Sequence, residues 1–305
     1  MELKAIIVIF ILTITFQIIL ASAPTYWSYG VNDGPGKWPE LFPDMCAGKY
    51  QSPIDIRPID TVYNRQLTNF VFYHPQRETA KFIAKNNGHS IQVNTDGQFF
   101  LAYGGLQYTY RISQFHFHWG SSREKGSEHT IYKAADPMEM HIVSWNEEKY
   151  RSMAEAAMQP DGLAVLGILF RVSDYDNPLL EPLVLVIPYI RDPEWNNSVE
   201  IPVVPMNEFL PNCPEKYYRY HGSLTTPRCY ESVTWTVFKR RLTISKRQLN
   251  VFRQTLTKEV AIHQSPRTNI KTTGGGREPL VDNFRPVQPL NGRVIERSYQ
   301  ILHAV

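Results

Sequence analysis

Cysteine is scarce in this chain, three among 305 residues. The odd count allows at most one intramolecular bridge and leaves one thiol over. Charge of one sign is missing as well: 32 Lys and Arg stand against 29 Asp and Glu, a formal net of +3. With so mild a balance, Lys239-Arg240-Arg241 and Lys246-Arg247 read as a solvated face, and nothing suggests nucleic-acid recognition. Beyond residue 20 no long apolar run appears, so no second stretch threatens to span a bilayer. His-Glu-x-x-His and Gly-x-Ser-x-Gly are absent, which removes the usual signs of a metalloprotease or serine esterase. The segment Thr272-Thr273-Gly274-Gly275-Gly276 lacks the Lys-Ser/Thr ending of a phosphate loop and reads as a surface loop. No internal repeat stands out.

What is present begins with Met1-Glu2-Leu3-Lys4, an apolar run from Ala5 to Leu20, and Ala21-Ser22-Ala23. That layout predicts a secretory signal peptide over 1–23, cleaved after Ala23. The run is slightly long for a signal peptide, which leaves an uncleaved signal anchor as the alternative. At about sixteen residues it falls below the roughly 20 needed to span a bilayer comfortably, and the cleavage site that follows favours removal. Residues 24–305 are then one soluble, secreted domain, large enough to bury a substantial core. In an oxidising compartment Cys46 can pair with Cys213 or Cys229, or those two with each other. A Cys46–Cys229 bridge closes a loop of about 180 residues, worth about 5 kcal/mol on the chain-entropy model. Asn196-Asn197-Ser198 is the one N-glycosylation sequon and marks Asn196 as an acceptor.

Short strands with frequent punctuation fill the rest; Pro occurs 22 times and Gly 17. Ser90–Val93, Ala164–Phe170 and Val233–Phe238 read as strands. Lys246–Val260 reads as the clearest helix, with another before Pro160. The pattern predicts a sheet-dominated α+β single domain: a large, twisted, mostly antiparallel sheet with short peripheral helices, not a βαβ succession.

Two segments carry chemistry, Phe115-His116-Phe117-His118-Trp119-Gly120 and Glu139-Met140-His141-Ile142-Val143. Both alternate with a period of two, so Gln114, His116 and His118 share one face, and Glu139, His141 and Val143 share another. Two imidazoles from one strand and one from a neighbour can converge on a zinc ion at roughly 2.0–2.1 Å, leaving the fourth tetrahedral position for water. Gln114 and Glu139 are placed to hydrogen-bond the distal ring nitrogens and fix their tautomers. His-x-His in a strand is by itself a weak signal, and single histidines are usually core or surface residues.

Further segments raise it. Gly126-Ser127-Glu128-His129-Thr130, Tyr220-His221-Gly222-Ser223-Leu224-Thr225-Thr226-Pro227, Val281-Asp282-Asn283-Phe284-Arg285-Pro286, Gln51-Ser52-Pro53-Ile54-Asp55 and Asn86-Asn87-Gly88-His89-Ser90 stand in order with the two histidine strands. Together they resemble the α-class carbonic anhydrases over essentially the whole mature chain, in particular the secreted type. The resemblance implies reversible hydration of carbon dioxide to bicarbonate and a proton through zinc-bound hydroxide. It implies His116, His118 and His141 as zinc ligands and Gln114, Glu139 and the Asn283 carbonyl as their outer partners. Thr225 is then the hydroxyl that donates its proton to Glu128 and orients the nucleophile. Val143, Val165, Leu224 and Trp235 form the apolar wall for carbon dioxide, with Thr226 beside them. His89 is the proton shuttle on a flexible loop, with Tyr29, Asn87 and Gln92 supporting the water chain. An imidazole near its ordinary pKa of about 6.5 suits that task.

The resemblance also supports the Cys46–Cys229 bridge, bracing the loop that carries Thr225. Cys213 is unmatched: a buried thiol in a monomer, or the link of a disulfide-bonded dimer. Arg228 stands where a second proline is common, and Phe284 where a tryptophan is common. His129 is read as structural, on the strand face opposite Glu128. A relative that has lost catalysis and serves as a binding or matrix module is the competing reading; retention of all three histidines, Glu128 and Thr225 argues against it.

Overall fold

The computed structural model describes residues 26–258 and 277–301. The predicted signal peptide, the loop at 272–276, His263 and His303 lie outside the described residues.

Fifteen strands are formed among the described residues. In chain order they are β1 Asp55–Ile56, β2 Val62–Tyr63, β3 Phe70–Tyr73, β4 Lys81–Asn86, β5 Ile91–Asp96, β6 Phe100–Tyr103, β7 Tyr110–Trp119 and β8 Thr130–Ile131. They continue as β9 Met138–Trp145, β10 Leu163–Ser173, β11 Ser198–Ile201, β12 Tyr217–Gly222, β13 Val233–Phe238, β14 Leu242–Ser245 and β15 Glu296–Arg297. Thirteen join one sheet whose main path runs β11-β4-β5-β7-β9-β10-β13-β12-β15-β2. Most neighbours are antiparallel; β10 with β13, β10 with β14 and β15 with β2 are parallel. The helices are short: α1 Trp38–Leu41, α2 Pro43–Cys46, α3 Met153–Ala156, α4 Glu181–Ile190 and α5 Lys246–Phe252. The expected sheet-dominated single domain is thus the observed one. Among the described residues no helix is long and apolar enough to cross a membrane.

Alternation explains the two cores. Phe115, Phe117 and Trp119 of β7, Met140 and Ile142 of β9, and Leu166, Ile168 and Phe170 of β10 bury one face of the sheet. Leu183, Val184 and Ile187 of α4 and Leu249 and Phe252 of α5 cover that face. Val143, Val165, Tyr218, Tyr220 and Trp235 pack on the other. Full burial of such side chains is worth about 1.5–3 kcal/mol each, so two-sided burial fixes the register: a one-residue slip exchanges the faces.

The helix expected over Lys246–Val260 stops at Phe252. Its start is strong, with Ser245 and Gln248 forming a reciprocal capping box. Its continuation loses to tertiary bonds: the Leu256 N–H donates to the Arg191 carbonyl at 2.8 Å, and the Leu256 carbonyl accepts from the Asn86 amide at 3.0 Å. The shorter helix before Pro160 is α3, capped by Ser152.

Candidate metal centre

Register assembles the centre. On the β7–β9 pair His116 lies directly opposite His141, and His118 opposite Glu139. The next pairs place Val143 opposite Val165 and Val165 opposite Trp235. Three histidines and an apolar wall therefore occupy adjacent rows on one face of the sheet.

Each ring is held from behind. His116 Nδ1 meets Gln114 Oε1 at 2.9 Å, His118 Nδ1 meets the Asn283 carbonyl at 2.7 Å, and His141 Nε2 meets Glu139 Oε1 at 2.8 Å. An acceptor on the outer nitrogen makes that nitrogen the N–H and leaves the inner one with its lone pair. The free nitrogens are His116 Nε2, His118 Nε2 and His141 Nδ1. The three rings can bring ligand atoms within 4.8 Å of one another. The Nε2 atoms of His116 and His118 are 3.1 Å apart, against about 3.3 Å for two ligands of one tetrahedral ion with bonds near 2.0–2.1 Å. Burial, aided by the neighbouring imidazoles, keeps the His116 pKa well below its ordinary value; burial likewise lowers His118 despite the pull of Glu128. Both rings are neutral at physiological pH, as metal ligation requires.

Two carboxylates complete the centre. Glu139 accepts from the Glu128 and His129 backbone N–H groups at 2.9 and 2.8 Å through Oε2. Its Oε1 serves the His129 and His141 rings together. Burial alone raises a carboxyl pKa, but the two imidazoles and their hydrogen bonds win and hold Glu139 well below the usual range. Glu128 accepts from the Arg285 N–H at 2.8 Å through Oε1. That bond turns Oε2 toward the imidazoles, 3.5 Å from His118 Nε2 and 3.8 Å from His141 Nδ1. Oε2 is buried and has no hydrogen-bond partner among the described residues. An unsatisfied buried acceptor beside three lone pairs is a donor set prepared for a cation and its water.

Several expectations change. The Thr225–Glu128 hydrogen bond is not made: Thr225 is buried, but the Arg285 amide fixes the carboxylate so that Oε2 faces the rings. Glu128 and His129 lie in a bend before β8, not on opposite faces of a strand. His129 is structural as expected, bridging Glu139 to the Tyr220 hydroxyl at 2.7 and 2.6 Å. The His89 loop is not loose, because Asn87 Oδ1 accepts from the N–H groups of His89 and Ser90, and the Asn283 amide donates to the His89 carbonyl. The His89 ring stacks on Trp27, centroids 3.8 Å apart and planes 11° from parallel. Burial, with help from Lys258, lowers its pKa to about 4, not the matched value expected.

The remaining candidates fall around the centre. Asn87 donates to Gln92 at 2.9 Å, and Gln92 lies opposite His116 in register. Tyr29 sits edge-on to Trp27 and Trp38, and burial and then Glu128 keep its phenol neutral. Val143, Val165 and Trp235 are buried together with half-buried Leu224 against them; the Trp235 indole donates to the Ser223 carbonyl at 2.9 Å. Cys46 and Cys229 form the disulfide, resolving the three pairings in favour of the one the resemblance implied. The Cys229 N–H donates to the Thr226 carbonyl at 2.7 Å, tying the bridge to the loop of Thr225. Cys213 is a half-buried thiol, Arg228 is exposed, and Asn196 is exposed at its sequon.

Three residues escaped the sequence reading. Trp27 pins His89. Arg285 is buried and joins Glu128 to Gln51, Ser52 and the Cys46 carbonyl. Gly167 lies opposite His141, and a Cβ there would stand 3.0 Å from Glu139 Oε1. A glycine inside the apolar run Val165-Leu166-Gly167-Ile168-Leu169 was the available signal, since strand glycines mark close approach.

Three imidazoles on neighbouring strands, each oriented from behind, form a donor set of the kind that holds zinc with an open coordination position. The profile of the eukaryotic-type carbonic anhydrases matches residues 33–299. Carbonic anhydrase 7 of Mus musculus is 37% identical over 281 residues, spanning 90% of this chain and 97% of its own. Carbonic anhydrase 7 of Homo sapiens is 36% identical over the same length and shares. The chain belongs to the eukaryotic-type carbonic anhydrase family.

Proposed function

We propose that His116, His118 and His141 hold the zinc ion of this enzyme through Nε2, Nε2 and Nδ1. The observation that carries the assignment is the convergence of those nitrogens while all three outer nitrogens are occupied. The reaction is the reversible hydration of carbon dioxide to bicarbonate and a proton, and the cofactor is zinc. When bound, zinc brings water in its open position to a pKa of about 7, a value established for carbonic anhydrase itself and not read from this chain.

The chain's own residues do the rest. Glu128 offers Oε2 as an acceptor, and the Thr225 hydroxyl, turning to it, orients the attacking oxygen. Val143, Val165, Leu224 and Trp235 give carbon dioxide an apolar seat, with Thr226 at its edge. Gln114, Glu139 and Asn283 keep the imidazoles aimed. Tyr29, Asn87 and Gln92 support the water chain that leads from the centre to His89, which hands the proton outward, weakly while it stays stacked on Trp27.

The mature enzyme is a secreted domain over 24–305, released from a signal peptide over 1–23. The Cys46–Cys229 bridge supports that reading, since cytosolic thiols are kept reduced. Exposed Asn196 carries a glycan, Cys213 stays a thiol, and the enzyme acts as a monomer on its small-molecule substrate without inserting in a membrane.

One preparation tests this. Protein recovered from culture medium should show an intact mass that fits cleavage after Ala23, one glycan and one free thiol. Stopped-flow hydration of carbon dioxide should vanish when zinc is stripped and return when it is restored. A folded, zinc-loaded protein without hydration would overturn the residue roles.

A further inference from the structure

The sheet face turned away from the histidines carries a second polar recess. Along β12, Tyr218 and Tyr220 pack with Val143 and Trp235, whereas Tyr217 belongs to the opposite core. Arg219 shares the Tyr217 face by parity. There it lines a cavity of about 310 Å³ with Asn64, Tyr110, Asp161, His221 and Glu296.

Arg219 is 5% exposed. Its Nε and Nη2 donate to Thr236 Oγ1 at 3.1 and 2.9 Å, and Nη2 also donates to the Gly104 carbonyl at 2.9 Å. Nη1 makes no hydrogen bond among the described residues, and Arg219 forms no ion pair among them. Yet Glu296 is its direct cross-strand neighbour. Glu296 gives Oε1 to the Asn64 amide at 2.8 Å, and its Oε2 accepts nothing among the described residues. Asp161 is already engaged by Lys149 and Tyr150. A guanidinium and a carboxylate thus face one cavity as neighbours and leave each other unpaired.

We propose that this recess binds a small zwitterion of the α-amino-acid class, its carboxylate on Arg219 and its ammonium on Glu296. A buried guanidinium with an uncommitted nitrogen is a preorganised carboxylate receptor, and in a low dielectric such charge-assisted bonds are strong. A plain anion meets repulsion from Glu296; a plain amine meets it from Arg219. His221 adds no compensating charge, because burial and Arg219 lower its pKa and keep it neutral at physiological pH. Only a ligand bearing both charges satisfies both groups. The volume sits at the lower end of the roughly 300–1,000 Å³ typical of small-molecule sites.

Isothermal titration calorimetry of the zinc-loaded protein with glycine, acetate and methylammonium tests this. Glycine should bind saturably and at least about tenfold more tightly than either fragment, a difference of about 1.4 kcal/mol. Glu296→Gln should weaken glycine about tenfold or more, and Arg219→Met should abolish its binding. Protein stripped of zinc should bind glycine equally well, which separates this site from the metal centre. No saturable heat with glycine, acetate binding as tightly as glycine, loss of binding on zinc removal, or unchanged binding in Glu296→Gln would each overturn the proposal. Should Arg219→Met fail to fold, Glu296→Gln, at a half-buried position, decides alone.

Discussion

His116, His118 and His141 are each held by an acceptor on the outer ring nitrogen, while His89 is held by the flat face of a tryptophan. The partners of the first three come from a neighbouring β7 residue, a carbonyl 165 residues away, and a carboxylate on β9. The ring nitrogens of His89 make no hydrogen bond among the described residues; only its backbone is hydrogen-bonded. Hydrogen bonds fix a tautomer and an angle, and stacking fixes neither. The difference matches two tasks. A ligand must present one lone pair in one direction, whereas a proton carrier must receive on one side and release on the other.

The comparison breaks most severely if the outer partners prove dispensable. Glu139→Gln is the sharpest case, because one carboxylate serves two ring nitrogens and two backbone N–H groups. An amide of the same shape must turn its own donor against at least one of those four. Zinc affinity should fall by about 10–100-fold, the usual effect of losing an outer partner. Competition with a chromophoric chelator measures it. Unchanged affinity would mean that strand geometry alone aims His141.

A smaller effect is expected from Gly167→Ala, which leaves every hydrogen-bonding group in place. The new methyl would stand 3.0 Å from Glu139 Oε1, tighter than ordinary contact, so the carboxylate must yield by a few tenths of an ångström. Positioning errors of that size call for a loss of zinc affinity of about two- to fivefold. The same chelator competition checks it, with the melting temperature as a control for general damage. A loss as large as that of Glu139→Gln would show that the position of this carboxylate matters as much as its charge.

Much of the centre was legible because β-structure is periodic. Gln114, His116 and His118 follow one another at intervals of two, and Glu139 and His141 do the same, so parity alone delivers two of the three outer partners. The third, the Asn283 carbonyl, is a backbone group from a distant non-strand segment, and only the family resemblance pointed to it. The bend at Glu128 and His129 has no period to read, and there the expectation of opposite strand faces failed. The His89 environment was misjudged for the same reason: Trp27 reaches it from a segment with no strand to set its register. The C-terminal limit of α5 was lost to bonds from Arg191 and Asn86, which no local propensity contains. Arg219 reads in sequence as one more basic residue; its burial and unpaired cross-strand neighbour exist only once β15 is docked.

The smallest predicted effect concerns His89, and it sharpens the comparison from the other side. A matched acid–base group contributes about 10²-fold or more to a proton-transfer step. A ring held at about 4 takes a proton from a donor titrating near 7 uphill by about three units, roughly 4 kcal/mol, so most of that contribution is lost. His89→Ala should therefore lower kcat by no more than about threefold in dilute buffer, leave kcat/KM unchanged, and leave imidazole buffer able to accelerate parent and variant alike. An NMR titration of the ring should find its midpoint near 4. The sign for stability follows: the neutral ring's contribution is complete above the unfolded value of about 6.5 and is lost as pH falls toward 4. A loss of turnover beyond about tenfold, together with a midpoint near 6.5, would mean that the ring leaves Trp27 to work. The stacked position would then be where His89 waits between turnovers, and Trp27 would set how long.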